Sequence, residues 1–138
     1  MLGQHLIKAW SSTQSVIALS SGEAEYYGLV KGASIGIGVQ SMLSDFAVTA
    51  PIVVHTDSSA AKGIGSRRGL GKLRHVELAQ LWVQDLVARG KIRIIKIAGT
   101  DNVADALTKH SSHQRITQHM SLTNQSISSG RHSMMPRA

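Results

Sequence analysis

Cysteine is absent from the chain, so disulfides, thiolate metal sites and cysteine nucleophiles are excluded, as suits a reducing compartment. No stretch approaches the ~20 apolar residues that a membrane span needs, and the opening "MLGQHLIKAW" is too broken by polar groups for a signal-peptide core. The expectation is an intracellular protein, cytoplasmic or nuclear, with no membrane partner. Acids are scarce as well: eight Asp and Glu face fifteen Lys and Arg, a formal net charge of +7. Such an excess favours a polyanionic partner, nucleic acid first. No acid precedes Glu23, and none follows Asp105, so Arg115, Arg131 and Arg137 leave the last segment purely basic.

What is present suffices for one compact domain, since 138 residues at 42% hydrophobic content can bury a core. From His113 onward, "HQRITQHMSLTNQSISSGRHSMMPRA" shows no sustained hydrophobic period and does not offset its own ordering entropy. The expected division is residues 1–110 as the folded domain and 111–138 as a basic, disordered tail. His110, His113 and His119 lack acidic partners there and read as ordinary polar residues.

Within the domain the apolar period alternates. "HLIKAW" and "SVIALS" are short strand-like runs around the turn-like "SSTQ", which predicts an antiparallel hairpin over residues 4–20. "GEAEYYGLVKGASIGIGVQSMLSDF" places Tyr26, Leu29, Val30, Ala33 and Ile37 at helical spacing, with glycines (Gly28, Gly32, Gly36, Gly38) that suggest close packing. "IVVHTD" predicts a strand buried on both faces, and "SSAAKGIG" a short helix. "LRHVELAQLWVQDLVARG" predicts a helix ending at Gly90, "KIRIIKIAG" a strand, and "TDNVADALTKH" a last helix capped by Thr100 or Asp101. The order β-β-α-β-α-α-β-α argues an α/β fold with a mixed sheet flanked by helices.

Several acids stand at strand-to-helix junctions, where ligands gather in open α/β sheets. Asp57 follows "IVVHT" and competes with a capping role at Ser58, Asp101 is a capping candidate, and Asp105 lies one turn further without being needed as a cap. With Ser20 as N-cap, "SSGE" forms a capping box in which Glu23 returns to the cap's backbone N–H. Glu25 falls ~200° around the helix from Glu23, bordering the small-residue stripe, where a carboxylate is costly unless paired or ligating a cation. Glu25, Asp57 and Asp105 are the oxygen donors that hard divalent cations take.

"VIALSSGEAEYYGL", "VVHTDSSAA", "LRHVELAQLWVQDLVARGKIRI" and "DNVADALTK" together resemble the ribonuclease H domain of copia-type LTR retrotransposon Pol polyproteins. The match spans roughly residues 3–110. The resemblance implies an RNase H-like fold that hydrolyses the RNA strand of RNA–DNA hybrids with two Mg²⁺ or Mn²⁺ ions, beside the reverse transcriptase portion of the same polyprotein. It further implies a four-acid site in the order Asp, Glu, Asp, Asp. Glu25, Asp57 and Asp105 match the last three as catalytic and metal-holding residues. The first Asp, carried by an opening strand in the family, has no counterpart here. The chain is therefore expected to be an N-terminally truncated domain lacking its first strand, and inactive alone. The basic loop "GSRRGLGKLRH" offers Arg67, Arg68, Lys72 and Arg74 to hybrid phosphates. His75 is given no catalytic role. The competing readings are a non-catalytic retroelement remnant that binds nucleic acid or a polyprotein partner, and an integrase-like relative, against which "EAEY" and "ADALTK" count.

Overall fold

The computed structural model describes residues 1–69, 71 and 80–126, apart from the side chain at position 107. Among these, the chain is mixed α/β: α1 (Ser21–Asp45), β1 (Ile52–Thr56), α2 (Ser59–Ser66), α3 (Trp82–Ala88), β2 (Ile92–Lys96) and α4 (His113–Leu122). It divides into two compact units, Thr13–Asn102 and a second formed by Met1–Ser12 with the chain from Val103 onward.

In the first unit, β1 and β2 pair in parallel, from Ile52 beside Ile92 to Thr56 beside Lys96. Parallel partners require a crossover, and α2 and α3 lie between them in the chain. Strand β2 alternates as its sequence demands, with Ile92 and Ile94 buried and Arg93 exposed. The core joins these isoleucines to Tyr26, Leu29, Val30 and Ala33 of α1, to Ala61 and Ile64 of α2, and to Val83 of α3. These four α1 positions belong to the helical period seen in the sequence, whereas Tyr27, also in the core, does not.

Glycine matters where helices close on their neighbours. A Cβ on Gly22 would lie 2.8 Å from the Ala60 Cβ, one on Gly36 3.1 Å from Ile52, and one on Gly65 2.6 Å from Ile94. Gly28, Gly32 and Gly38 face open space, so of the four α1 glycines expected to pack closely only Gly36 does.

Several expectations are corrected. Residues 4–20 form no hairpin; the segment's single pairing is the isolated Leu2–His5 bridge, and the sheet of the described residues is parallel and two-stranded rather than mixed. The physical reason is that "HLIKAW" and "SVIALS" fall in different units and their apolar side chains find little to cover, with Ile7, Trp10, Ile17 and Leu19 exposed. A hairpin without a third strand or a helix against its apolar face is marginal. Strand β1 is half-buried with His55 exposed, instead of being covered on both faces. The last predicted helix is two 3-10 turns, Gly99–Asp101 and Val103–Leu107, and neither Thr100 nor Asp101 caps them, Ala98 holding that place for the first. In the N-terminal part of "LRHVELAQLWVQDLVARG", residues 73–79 lie outside the described residues.

In the second unit, residues 113–122, expected within a disordered tail, form α4. Ser112 caps it by accepting from the Arg115 N–H at 3.4 Å, and at its far end the Thr123 hydroxyl donates to the His119 carbonyl at 2.8 Å. Asn124 follows in the left-handed conformation, φ 54°, and its Nδ2 lies 3.1 Å from His5 Nδ1. No described helix is long and apolar enough to cross a membrane.

Candidate functional site

The start of α1 separates its two glutamates. Ser20 is the N-cap, accepting from the Glu23 N–H at 3.2 Å. Glu23 is the buried one: Oε2 accepts from the Leu19 N–H at 3.0 Å and Oε1 from the Tyr27 hydroxyl at 2.9 Å. The Ser20 half of the expected capping box forms, but the return bond from Glu23 goes to the Leu19 N–H and not to that of the cap itself. Glu25 is exposed, not set against the packed face. The buried arc of α1 centres between Tyr26 and Val30, and at ~100° per residue Glu25 lies roughly 120° from that centre while Glu23 lies roughly 40° from it. Among the described residues Glu25 makes no hydrogen bond or ion pair, which leaves its carboxylate open.

Asp57 immediately follows β1 and is half-buried. Capping of α2 is done by Ser58, whose hydroxyl accepts from the Ala61 N–H at 3.1 Å, so Asp57 has no capping role. Its Oδ2 lies 3.6 Å from where a Cβ on Gly99 would sit. Because the strands are parallel, the turns leaving β1 and β2 emerge at the same sheet edge, and Asp57 and Gly99 meet there. This edge, at the carboxyl ends of parallel strands, is where α/β folds place ligands.

Asp105 belongs to the second unit and is 7% exposed. Its Oδ2 accepts from Lys109 Nζ at 2.9 Å, and Arg115 Nη2, on α4, lies 3.8 Å away. This carboxylate is committed to cations of its own chain. Among the described residues Glu25 and Asp57 are thus carboxylates without a hydrogen bond or ion pair, whereas Asp105 already faces Lys109 and Arg115. Among the described residues no three His, Asp or Glu side chains are grouped so as to hold a metal ion.

Of the candidate phosphate ligands, Arg68 is exposed and Arg67 half-buried. The Arg67 guanidinium packs against Gly71, φ 59°, where a Cβ would come within 2.7 Å of Nη1. Its charge also acts on the buried Tyr26 phenol. Arg67 therefore helps build the corner between α1 and α2, lining an open groove with Ser20, Glu23, Ala60 and Ile64. Lys72, Arg74 and His75 lie outside the described residues.

Sequence reasoning missed two features. Gln84, buried in α3, donates to the Ile64 carbonyl at 2.8 Å and accepts from the Gly69 N–H at 2.8 Å, clamping the end of α2 and the start of the basic loop. His119 is buried on α4 with neither ring nitrogen hydrogen-bonded. A lone Gln or His in a polar stretch carries no periodic signal of such burial.

An α/β unit with a carboxylate at the exit of parallel strands offers a place for a ligand without naming one. Comparison with known proteins narrows it. Over 111 residues, 78% of this chain, the sequence is 27% identical to the retrovirus-related Pol polyprotein from transposon RE1 of Arabidopsis thaliana. Over 104 residues it is 27% identical to the retrovirus-related Pol polyprotein from transposon TNT 1-94 of Nicotiana tabacum. The chain matches about 8% of the length of either relative. No protein-family model and no solved structure matches it.

Proposed function

We propose that this chain is the RNase H-type module of a retroelement Pol polyprotein, a divalent-metal-dependent endonuclease acting on the RNA strand of RNA–DNA hybrids. The observation that carries the reading is the similarity to Pol polyproteins across most of the chain, with Asp57 standing uncommitted at the carboxyl edge of the parallel strands. Glu25 and Asp57 would hold one Mg²⁺ or Mn²⁺ and orient the attacking water, and Asp105 would hold a second ion. Bound there, such ions supply an activated water and charge stabilisation at the leaving oxygen. The chain provides three of the four acids that the resemblance implies. Arg68, with Arg67, Lys72 and Arg74, would engage backbone phosphates without reading sequence. The partners are the hybrid and the reverse transcriptase portion of the polyprotein, in the cytoplasm or nucleus.

A second reading is favoured by the ion pairs on Asp105: a non-catalytic remnant that binds nucleic acid or a polyprotein neighbour. The two separate on one experiment. The chain is joined to the segment that precedes the matched region in a polyprotein relative and incubated with a labelled RNA–DNA hybrid and Mg²⁺. Cleavage confined to the RNA strand and lost in Asp57→Asn supports the nuclease. Cleavage that survives Asp57→Asn overturns the site, and salt-sensitive hybrid binding with no cleavage supports the remnant.

A further inference from the structure

We infer that α4 is an intramolecular competitor for the Asp105 carboxylate, holding it in a cation-paired state that excludes a divalent metal. The inference rests on the proposed role of Asp105 as a metal-holding residue. Asp105 is nearly buried, with its side chain 10% exposed, and Oδ2 is the oxygen shared by both cations, Lys109 Nζ at 2.9 Å and Arg115 Nη2 at 3.8 Å. Lys109 arrives from the turn that Asp105 itself begins, its N–H bonded to the Asp105 carbonyl at 2.9 Å. Arg115 arrives from a separate element, in the first turn of α4, whose cap at Ser112 fixes that turn. A carboxylate oxygen that accepts from an ammonium and has a guanidinium 3.8 Å away has its charge compensated. A metal binding the same oxygen must displace at least one of these groups.

The consequence is reciprocal. If the ion pairs weaken metal binding, metal binding must weaken the ion pairs by the same factor, and with them the attachment of α4. Among the described residues the two buried ring nitrogens of His119 on α4 have no hydrogen-bond partner, which costs that attachment some stability.

The test uses the full chain with Mn²⁺ as probe. Binding is followed by the free-ion paramagnetic resonance signal in wild type, Asp105→Asn, Arg115→Gln and Lys109→Gln/Arg115→Gln. Hydrogen exchange of the amides of residues 113–122 is followed in wild type with and without saturating Mn²⁺, which needs no variant to fold. The expected result is Asp105-dependent Mn²⁺ binding that tightens in Arg115→Gln alone and about tenfold in the double variant, with α4 amides exchanging faster once Mn²⁺ is bound. Asp105-dependent binding of equal strength in wild type and Arg115→Gln, with unchanged α4 exchange, overturns the competition by α4 and leaves the metal role of Asp105 standing. Mn²⁺ binding indifferent to Asp105→Asn in every background overturns the metal role and the competition together.

Discussion

The Tyr27 hydroxyl donates to Glu23 Oε1 at 2.9 Å, one helical turn apart, with both side chains buried. The other carboxylate oxygen accepts from the Leu19 N–H, so one glutamate both ties down the residue before the Ser20 cap and satisfies a core tyrosine. Glu23→Ala removes the return bond of the capping box and the charged acceptor of a buried hydroxyl, a loss of about 2–3 kcal/mol in urea unfolding. Glu25→Ala, on the exposed side of the same helix, changes stability by no more than about 0.5 kcal/mol. Equal losses from the two variants would show that the burial difference has no energetic weight.

How much was legible in the sequence follows from where the information is local. The α1 period, the Ser20 cap, Gly90 after α3 and the strand within "KIRIIKIAG" are set by neighbours within a turn or two, and each appears as read. The hairpin failed because strand pairing depends on a surface to pack against, and alternation in "HLIKAW" says nothing of whether one exists. Helix α4 was missed for the opposite reason. Its sequence has little apolar period, and its order comes from Ser112, Thr123 and the Arg115–Asp105 contact, which are polar and partly long-range. In the candidate site the commitments of the acids were not legible: nothing in "VADALTKH" reveals that Asp105 is already paired.

Ala47 offers a test of helix termination. Helices α1, α3 and α4 end alike, with the N–H groups of Val48, Lys91 and Gln125 reaching back to the carbonyls of Leu43, Leu86 and Met120. This doubly bonded ending needs a left-handed residue, supplied by Gly90 at φ 68°, Asn124 at φ 54° and Ala47 at φ 57°. Alanine is the costly choice because its Cβ crowds the backbone there. Ala47→Gly should raise the stability of the chain by about 0.5–1 kcal/mol, read as a higher urea midpoint at unchanged m-value. A lower midpoint would mean that the greater freedom of glycine in the unfolded chain outweighs the relieved strain.

Gly22 tests the packing of α1 on α2. Its missing Cβ would stand 2.8 Å from the Ala60 Cβ, an atom fixed to its own helix and unable to rotate away. Gly22→Ala must therefore push the two helices apart, at a cost of about 1–3 kcal/mol despite the better helix propensity of alanine. Ala60→Gly in the same chain should recover most of that loss, since it removes the opposing atom. Failure of the double variant to recover would place the strain elsewhere, and a double-mutant cycle by urea unfolding measures the difference.

Tyr26 sets an alkaline limit on the same core. Its ring is fully buried and its hydroxyl donates to the Gln80 carbonyl at 2.8 Å. Burial pushes the phenol up to about 12, against an opposing pull from the Arg67 charge and a small further rise from Tyr27. Between the ordinary value near 10 and this raised one, the folded chain keeps a proton that the unfolded chain has released. Stability from this group is thus fully present below pH ~10 and is lost as pH rises through ~12, a change on the order of 2–3 kcal/mol at about 1.4 per unit. Tyr26→Phe should lower the urea midpoint at pH 8, because Gln80 loses its donor, yet flatten the decline between pH 9 and 12. A variant that keeps the wild-type alkaline slope would assign the decline to groups other than Tyr26.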